Sequence, residues 1–553
     1  MAVRWAFLKR VLAGAVFGVY MAHLLYFLNP QVDVSPARLA AATTIYALAC
    51  GLLFGAILWS LRVVRVRVIG KPPANGGYRA HGFGFVVLAA FAAAAIYWMQ
   101  REVFFIYLPI GAQRGLAKAT NLITIIAFAL LLLWLFERSA SRRQSRGIFV
   151  AGVTLIVVST FFLYERRDNY RPTAQRVVVA NVGTVAGQRP VILITIRNLP
   201  YDWILTLAGE GGLPFFEQAR THAYLTRSEP FPTTSSQALW ASLATGKLPF
   251  RHGVTGEFSY SSVLNGFDRR EPFIVMPSGV GFQSWQLIPP VIRVAPQLPS
   301  GDALPLWKLF ERVGLSAAVI DWPNDVSQVS PPFLAAQAQR FARAPDADVV
   351  KRFSGTGDAT PRIVRAFSRD LSALSLMRVA AARFNLTIVT LRGFEQAQRA
   401  VHIFSNDLPP RSSVKGGVVR GYAEQLDTML ASVAHDFPDH LIIVTSPSGP
   451  VPPKLPATPF ALVRDFVIAD DPGADDGFVL MIGPGIAHRE RPASAQSVDV
   501  VPTCLYATGL PVGRDMDGRV LSDAFADEIL RTNALTLVQT YEAQQLLVRR
   551  NSG

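Results

Sequence analysis

Acidic residues are scarce in the first third of this chain, and cysteine and histidine are scarce throughout. Residues 1–176 carry 5 Asp or Glu against 20 Lys or Arg, and the 553 residues include 2 Cys and 8 His. Each shortage excludes something. Cys50 lies in an apolar run and Cys504 far beyond it, so no disulfide framework holds the C-terminal part even in an oxidising compartment, and core packing must do so. Charged residues are 17% of the chain and mean hydropathy is +0.29, too apolar for a wholly soluble protein. The excess of +15 lies in residues 1–176, because residues 177–553 hold 34 basic and 34 acidic groups. A neutral C-terminal half lacks the basic face that nucleic acid requires, so no nucleic-acid partner is expected.

What is present is a series of five uncharged runs: Val11 to Leu28, Leu39 to Leu61, Gly82 to Gln100, Ala119 to Phe136 and Gly147 to Tyr164. Each is long enough to cross a hydrocarbon core as a helix, and nothing comparable follows. Basic residues flank them unevenly. Arg4, Lys9 and Arg10, then Arg62, Arg65, Arg67, Lys71 and Arg79, then Arg138, Arg142, Arg143 and Arg146 fall on one side; Arg38, Arg101, Arg114 and Lys118 fall on the other. The richer side is cytoplasmic by the positive-inside rule, which places everything after Tyr164 outside. The N-terminal run is long and shows no small-residue cleavage site near Asn29, so it reads as an uncleaved anchor. His23 is the one ionisable group within the runs, and a lone histidine satisfied by a neighbouring helix is the simpler reading than a proton relay. The short segment Val103 to Ala112, interrupted by Pro109, is expected in the outer interface or under the outer domain.

The expected organisation is therefore a five-helix membrane domain over 1–165, a connector over 166–189, and an outer α/β domain over 190–525. From Pro190 short apolar strands alternate with helical stretches, which predicts a mainly parallel sheet covered by helices. The strands expected are Val191 to Ile196, Ala317 to Ile320, Leu386 to Leu391, Leu441 to Thr445 and Phe478 to Ile482. Residues 257–300, rich in Gly, Pro, Ser and aromatics, read as a cap or insertion. Residues 526–553 are expected to form an amphipathic helix, its apolar spacing beginning near Ser522.

Five segments in order carry a resemblance: VILITIRNLPYDW from Val191, PTTSSQALWASLATGKLPFRHGVTG from Pro232, LWKLFERVGLSAAVIDWP from Leu306, YAEQLDTMLASV with LIIVTSPSGP from Tyr422, and GFVLMIGPGI running on through DVVPTCLYATGLPVGRDMDGRVL. Together they resemble the type I phosphodiesterase and nucleotide pyrophosphatase branch of the alkaline-phosphatase superfamily, over nearly all of residues 190–525. The resemblance implies two metal ions, usually zinc, beside a Ser or Thr nucleophile whose pKa they lower. Carboxylate and imidazole ligands should stand at strand ends to hold them.

Most of those ligands are replaced. Where the family has a metal-binding Asp after the first strand, this chain has Arg197 followed by Asn198. Ser236 stands at the nucleophile position, where a serine before a helix can equally be a cap. After Leu391 the family's Asp and His correspond to Glu395 and Arg399. The Asp-His pair of the next strand becomes Pro447 and Ser448. Asp475 or Asp476 offers a carboxylate where a last His is due, and His252 matches a family histidine outside the ligand set. No metal or other cofactor is expected on this pattern, with two zinc ions implied under the alternative of an active hydrolase.

Two readings of the departures stay open. Arg197 and Arg399, with Asn198, Ser236, Glu395 and Ser448 around them, could hold a phosphate, sulfate or carboxylate. Alternatively Arg197 pairs with Glu395 and fills the vacated metal site. The expectation for the whole is a membrane-anchored, catalytically inactive phosphodiesterase-like protein of a bacterial inner membrane, its outer domain periplasmic. It would serve as a binding or assembly component, with the bilayer, other membrane or periplasmic proteins, and an anionic glycan or lipid head group as partners. The alternative is an active phosphodiesterase, phosphatase or head-group transferase using Ser236.

Overall fold

The run VILITI is apolar at five of its six positions, and such a strand is at home only where both sheet faces are covered. In the computed structural model it is the fourth of six strands in a single sheet. The structure describes residues 189–231, 236–254, 303–323, 347–403, 407–450 and 475–543 without a break. It also describes strands at 179–185, 259–262, 274–275, 279–280, 291–294 and 545–551, and helical stretches within 8–161. The chain divides into two units, one of residues 1–174, 258–294 and 457–469, the other of residues 175–257, 295–456 and 470–553.

The sheet of the second unit is built from β1 (Val191–Ile196), β2 (Tyr224–Ser228), β3 (Ala317–Ile320), β4 (Leu386–Leu391), β5 (Leu441–Ser448) and β6 (Asp476–Ile482), in the order β2-β6-β5-β1-β4-β3. β1, β3, β4 and β5 run parallel, and β6 is antiparallel to both its neighbours. The mainly parallel sheet is as expected. Alternation along β1 divides the core in two: Ile192, Ile194 and Ile196 face one cluster, Val191 and Leu193 the other. The first cluster is closed by α1 (Tyr201–Gly209), α2 (Pro214–His222), α5 (Thr360–Ala381), α6 (Gly393–Ala400) and α7 (Val414–Asp436). The second is closed by α3 (Ser236–Thr245), α4 (Leu306–Arg312) and α8 (Val500–Ala507).

Local chemistry starts these helices. Pro214 occupies the first turn of α2, and the Asp427 carboxylate, reaching across from α7, accepts hydrogen bonds from the backbone N–H groups of Phe215 and Phe216 at 3.0 Å. Asp370 does the same for α6. Its buried carboxylate accepts from the N–H groups of Arg392 and Gly393 at 3.1 Å and from the Tyr422 hydroxyl at 2.9 Å. A Cβ on Gly393 would lie 1.7 Å from the Tyr422 hydroxyl oxygen and 2.6 Å from Oδ2 of Asp370, which is why this position takes glycine. The anchored helix carries Glu395 and Arg399.

Four sequence expectations need correction. Among the described residues of 526–553 there is no amphipathic helix: a six-residue helix, Asp527–Thr532, gives way to strands Leu537–Val538 and Gln545–Asn551. The last of these pairs in parallel with Val179–Val185, so the connector 166–189 contains a strand of its own. Backbone hydrogen bonds to a strand some 360 residues earlier outweigh helical spacing in a segment of Val, Leu and Arg. β2 was not expected, because YLTRS is half polar. Arg114 and Lys118, expected to flank the fourth run, lie inside the helix Ile110–Ser139, and the segment Val103 to Ala112 contains a 3-10 turn, Phe105–Tyr107, and the first residues of that helix. Within the insertion 257–300, Ser259–Ser262 pairs with Val291–Val294 and Ile274–Val275 with Gly279–Val280.

Among the described residues of the first unit one apolar stretch, Gln113–Phe136, is 24 residues long and sufficient to cross a membrane. The run Leu39 to Leu61 lies within the 34-residue helix Pro36–Ile69. The runs Val11 to Leu28, Gly82 to Gln100 and Gly147 to Tyr164 fall partly outside the described residues. His23 bonds through Nδ1 with the Val19 carbonyl of its own helix at 2.8 Å, so its polar edge is satisfied one turn back.

Candidate functional site

The site expected from the resemblance lies where β1 and β4 end side by side. Ile196 is paired with Leu391, and the N–H of Arg197 still donates to the Leu391 carbonyl at 3.2 Å. The chain then turns sharply at Asn198, whose φ of 62° is left-handed, a conformation Asn tolerates better than most residues. Two bonds fix the turn: Gln398 donates to the Asn198 carbonyl at 3.2 Å, and the N–H of Leu199 donates to the Ser446 hydroxyl at 3.2 Å. Ser446 in turn donates to the Ser448 carbonyl at 2.8 Å, so Ser448 closes the end of β5 beside this turn.

Glu395, in the first turn of α6, sits between the two arginines. Its Oε2 lies 2.9 Å from Arg197 Nε and its Oε1 2.7 Å from Arg399 Nη2. The side chain of Glu395 is 6% exposed, that of Arg197 18% and that of Arg399 65%. The Arg399 contact is an i,i+4 pair at the surface, worth a few tenths of a kcal/mol. The Arg197 contact is close in distance while Nε is not aligned on Oε2 as a hydrogen-bond donor, so it is an ion pair by proximity. The Arg197 guanidinium also lies over the Trp240 ring, 5.7 Å from its centroid. Burial lowers the Arg197 pKa from the usual guanidinium value; Glu395 opposes this shift, and the charges of Arg392 and Arg399 add to it.

Arg392 was missed in the sequence, although it directly follows β4. Its guanidinium donates to the Asp321 and Trp322 carbonyls, at 2.9 and 2.6 Å, and so ties the end of β4 to the end of β3. Trp240 was missed as well, and lies one turn beyond Ser236. Ser236 is half-buried in the first turn of α3; residues 232–235, which lead into it, fall outside the described residues. The structure thus brings Arg197, Glu395 and Arg399 into contact and sets Asn198 and Ser448 beside them. Asp476 is drawn elsewhere, to Arg227 at 2.6 Å. His252 is buried in hydrogen bonds with Ser242 and Val254.

These residues do not fit a zinc pair. Zinc takes deprotonated donors with free lone pairs, and here both oxygens of Glu395 face guanidinium groups. Arg197 puts a fixed cation where the resemblance implies a ligand, and Pro447 has no side-chain donor. Among the described residues no group of three or more His, Cys, Asp or Glu is placed to share an ion.

No protein-family model and no curated protein matches the sequence. Solved structures do match, and they are alkaline-phosphatase superfamily members. An inactive variant of murine ectonucleotide pyrophosphatase/phosphodiesterase 5 in complex with AMP is 12% identical, over 61% of this chain and 100% of that one, with a TM-score of 0.37. The alkaline phosphatase PafA is 10% identical over 62% and 100%, with a TM-score of 0.39. A phosphonate monoester hydrolase from Silicibacter pomeroyi is 15% identical over 60% and 76%, with a TM-score of 0.35. At TM-scores this low the architecture rests on the chain's own strand order, and no residue role is carried over from these neighbours.

Proposed function

We propose that this chain is a membrane-anchored, non-catalytic relative of phosphodiesterases and phosphatases, acting as a binding or assembly component at the outer face of a bacterial inner membrane. The observation that carries this reading is the sharing of Glu395 between Arg197 and Arg399 at the ends of β1 and β4. Where the resemblance calls for cations held by carboxylates, the chain supplies both the cations and the carboxylate itself. Such a cluster is close to self-satisfied. It favours the filling of a vacated metal site over capture of an anion by Arg197, and leaves Ser236 without a metal to lower its pKa.

Two experiments test the two halves of this reading. Full-length protein purified with zinc present should contain far less than one zinc per chain, and its phosphodiesterase activity should match that of a Ser236→Ala variant. Stoichiometric zinc together with activity lost in that variant would establish the hydrolase or head-group transferase alternative instead. Anchoring by five spans, with the second unit outside, is supported by the flanking basic residues and by the length of Gln113–Phe136. A reporter fused after Arg176 should be active only outside the cytoplasm; a cytoplasmic signal reverses the orientation.

A further inference from the structure

A cleft of about 620 Å³, within the usual size of ligand sites, opens beside the short parallel ladder that pairs Val512 with Leu537 and Gly513 with Val538. Its lining is Arg251, Arg514, Asp515, Leu537 and Gln539. The ladder fixes the wall: the N–H of Arg514 donates to the Val538 carbonyl at 2.8 Å, which sets Arg514 beside Leu537 and Gln539.

The charges are distributed unevenly. The buried Lys247 ammonium is shared by Asp515 at 2.6 Å and Glu542 at 2.9 Å, and Asp517 is matched by Arg251 Nε at 2.8 Å. Arg514, exposed and lining the cleft, has no side-chain partner among the described residues, so its guanidinium fork is the one cation of the lining open to a ligand. The opposite character lies beside it. Leu535 and Leu537, two apart in the chain, are 53% and 50% exposed while Val538 is buried.

A guanidinium fork next to an exposed apolar lip fits an amphiphile. We infer that this cleft binds a molecule with a singly or doubly charged oxyanion head, held by Arg514 with Arg251 behind it, and a hydrocarbon body lying on Leu537 and Leu535. The head forms charge-assisted hydrogen bonds and the tail removes leucine surface from water. The site is separate from the strand-end cluster of Arg197, Glu395 and Arg399, and needs no metal.

The test is calorimetric titration of the full-length chain in phosphatidylcholine nanodiscs with octyl phosphate and octanoate, against octanol and inorganic phosphate as tail-only and head-only probes. Partition into the bilayer is subtracted with empty discs. Octyl phosphate should bind saturably and more tightly than either half-probe. Arg514→Gln and Leu537→Ser should each weaken it about tenfold, while Arg531→Gln, a nearby exposed arginine outside the cleft, should leave it unchanged. Inorganic phosphate binding as tightly as octyl phosphate, or an Arg514→Gln titration superimposing on wild type, overturns the inference. Phosphatidylglycerol added to the discs distinguishes the sources: competition marks the ligand as a membrane lipid, its absence a soluble amphiphile.

Discussion

Replacing Lys247 by methionine is expected to destabilise the second unit by about 3–5 kcal/mol, the usual cost of removing one partner from a buried ionic group. The Lys247 side chain is 3% exposed, and its ammonium lies 2.6 Å from Asp515 Oδ2 and 2.9 Å from Glu542 Oε1. Thr540 donates to one of these carboxylates at 2.9 Å or to the other at 2.7 Å, and Glu542 accepts from the N–H of Leu304 at 2.8 Å. Burial disfavours the Asp515 carboxylate, but Lys247 and the surrounding hydrogen bonds outweigh that and hold its pKa below the ordinary value. Methionine fills the same volume and leaves two carboxylates, 23% and 10% exposed, facing each other without their cation. Urea unfolding of the full-length chain, followed by tryptophan fluorescence, would show the loss as a lower midpoint. Combining Lys247→Met with Asp515→Asn and Glu542→Gln should recover much of it. A Lys247→Met variant as stable as wild type would mean that the three groups are not enclosed together.

How much of this was visible in the sequence depends on the range of the interaction. β1, β3 and β4 coincide with the runs Val191 to Ile196, Ala317 to Ile320 and Leu386 to Leu391, because a strand covered on both faces must be apolar along its whole length. β2 was hidden because Arg227 is spent on Asp202 and Asp476, contacts that make a charged residue compatible with a sheet. The contact between Arg197 and Glu395 could be offered as one of two alternatives, since both follow adjacent strands. Deciding between the alternatives needed the geometry, because one glutamate serving two arginines depends on the placement of α6 by Asp370. Lys247 carried no signal at all: its partners lie 268 residues and more away, and a lysine after a helix reads locally as surface.

Acid should unfold the wild-type protein less steeply than it unfolds a variant lacking Asp370, and more steeply than one lacking His252. His252 is buried, and its Nδ1 accepts from the N–H of Val254 at 3.1 Å, which leaves Nε2 to donate to the Ser242 hydroxyl at 2.9 Å. Both edges are thus committed to the neutral ring. Burial, with the nearby Lys247 charge, pushes its pKa down to about 3 from 6.5. Between those values the unfolded chain takes up a proton that the folded one refuses, so the stability His252 contributes is full above pH 6.5 and is lost as pH falls toward 3. The whole term is on the order of 5 kcal/mol. Asp370 works in the opposite sense. Burial raises its pKa to about 7 from 3.8, so the folded chain keeps a proton the unfolded one has lost, and its contribution falls as pH rises through that window. The two nearly cancel in the shared interval. His252→Asn, whose side-chain oxygen can replace Nδ1 as acceptor, removes one side of the balance. The stability difference between wild type and this variant should shrink by about 1.4 kcal/mol per pH unit below pH 6.5, some 2.7 kcal/mol by pH 4.5. Asp370→Asn should give the mirror-image trend over the same range. Measured as differences by urea titration at each pH, both trends are free of the carboxylates common to all three proteins, and pH-independent differences would place both groups in contact with water.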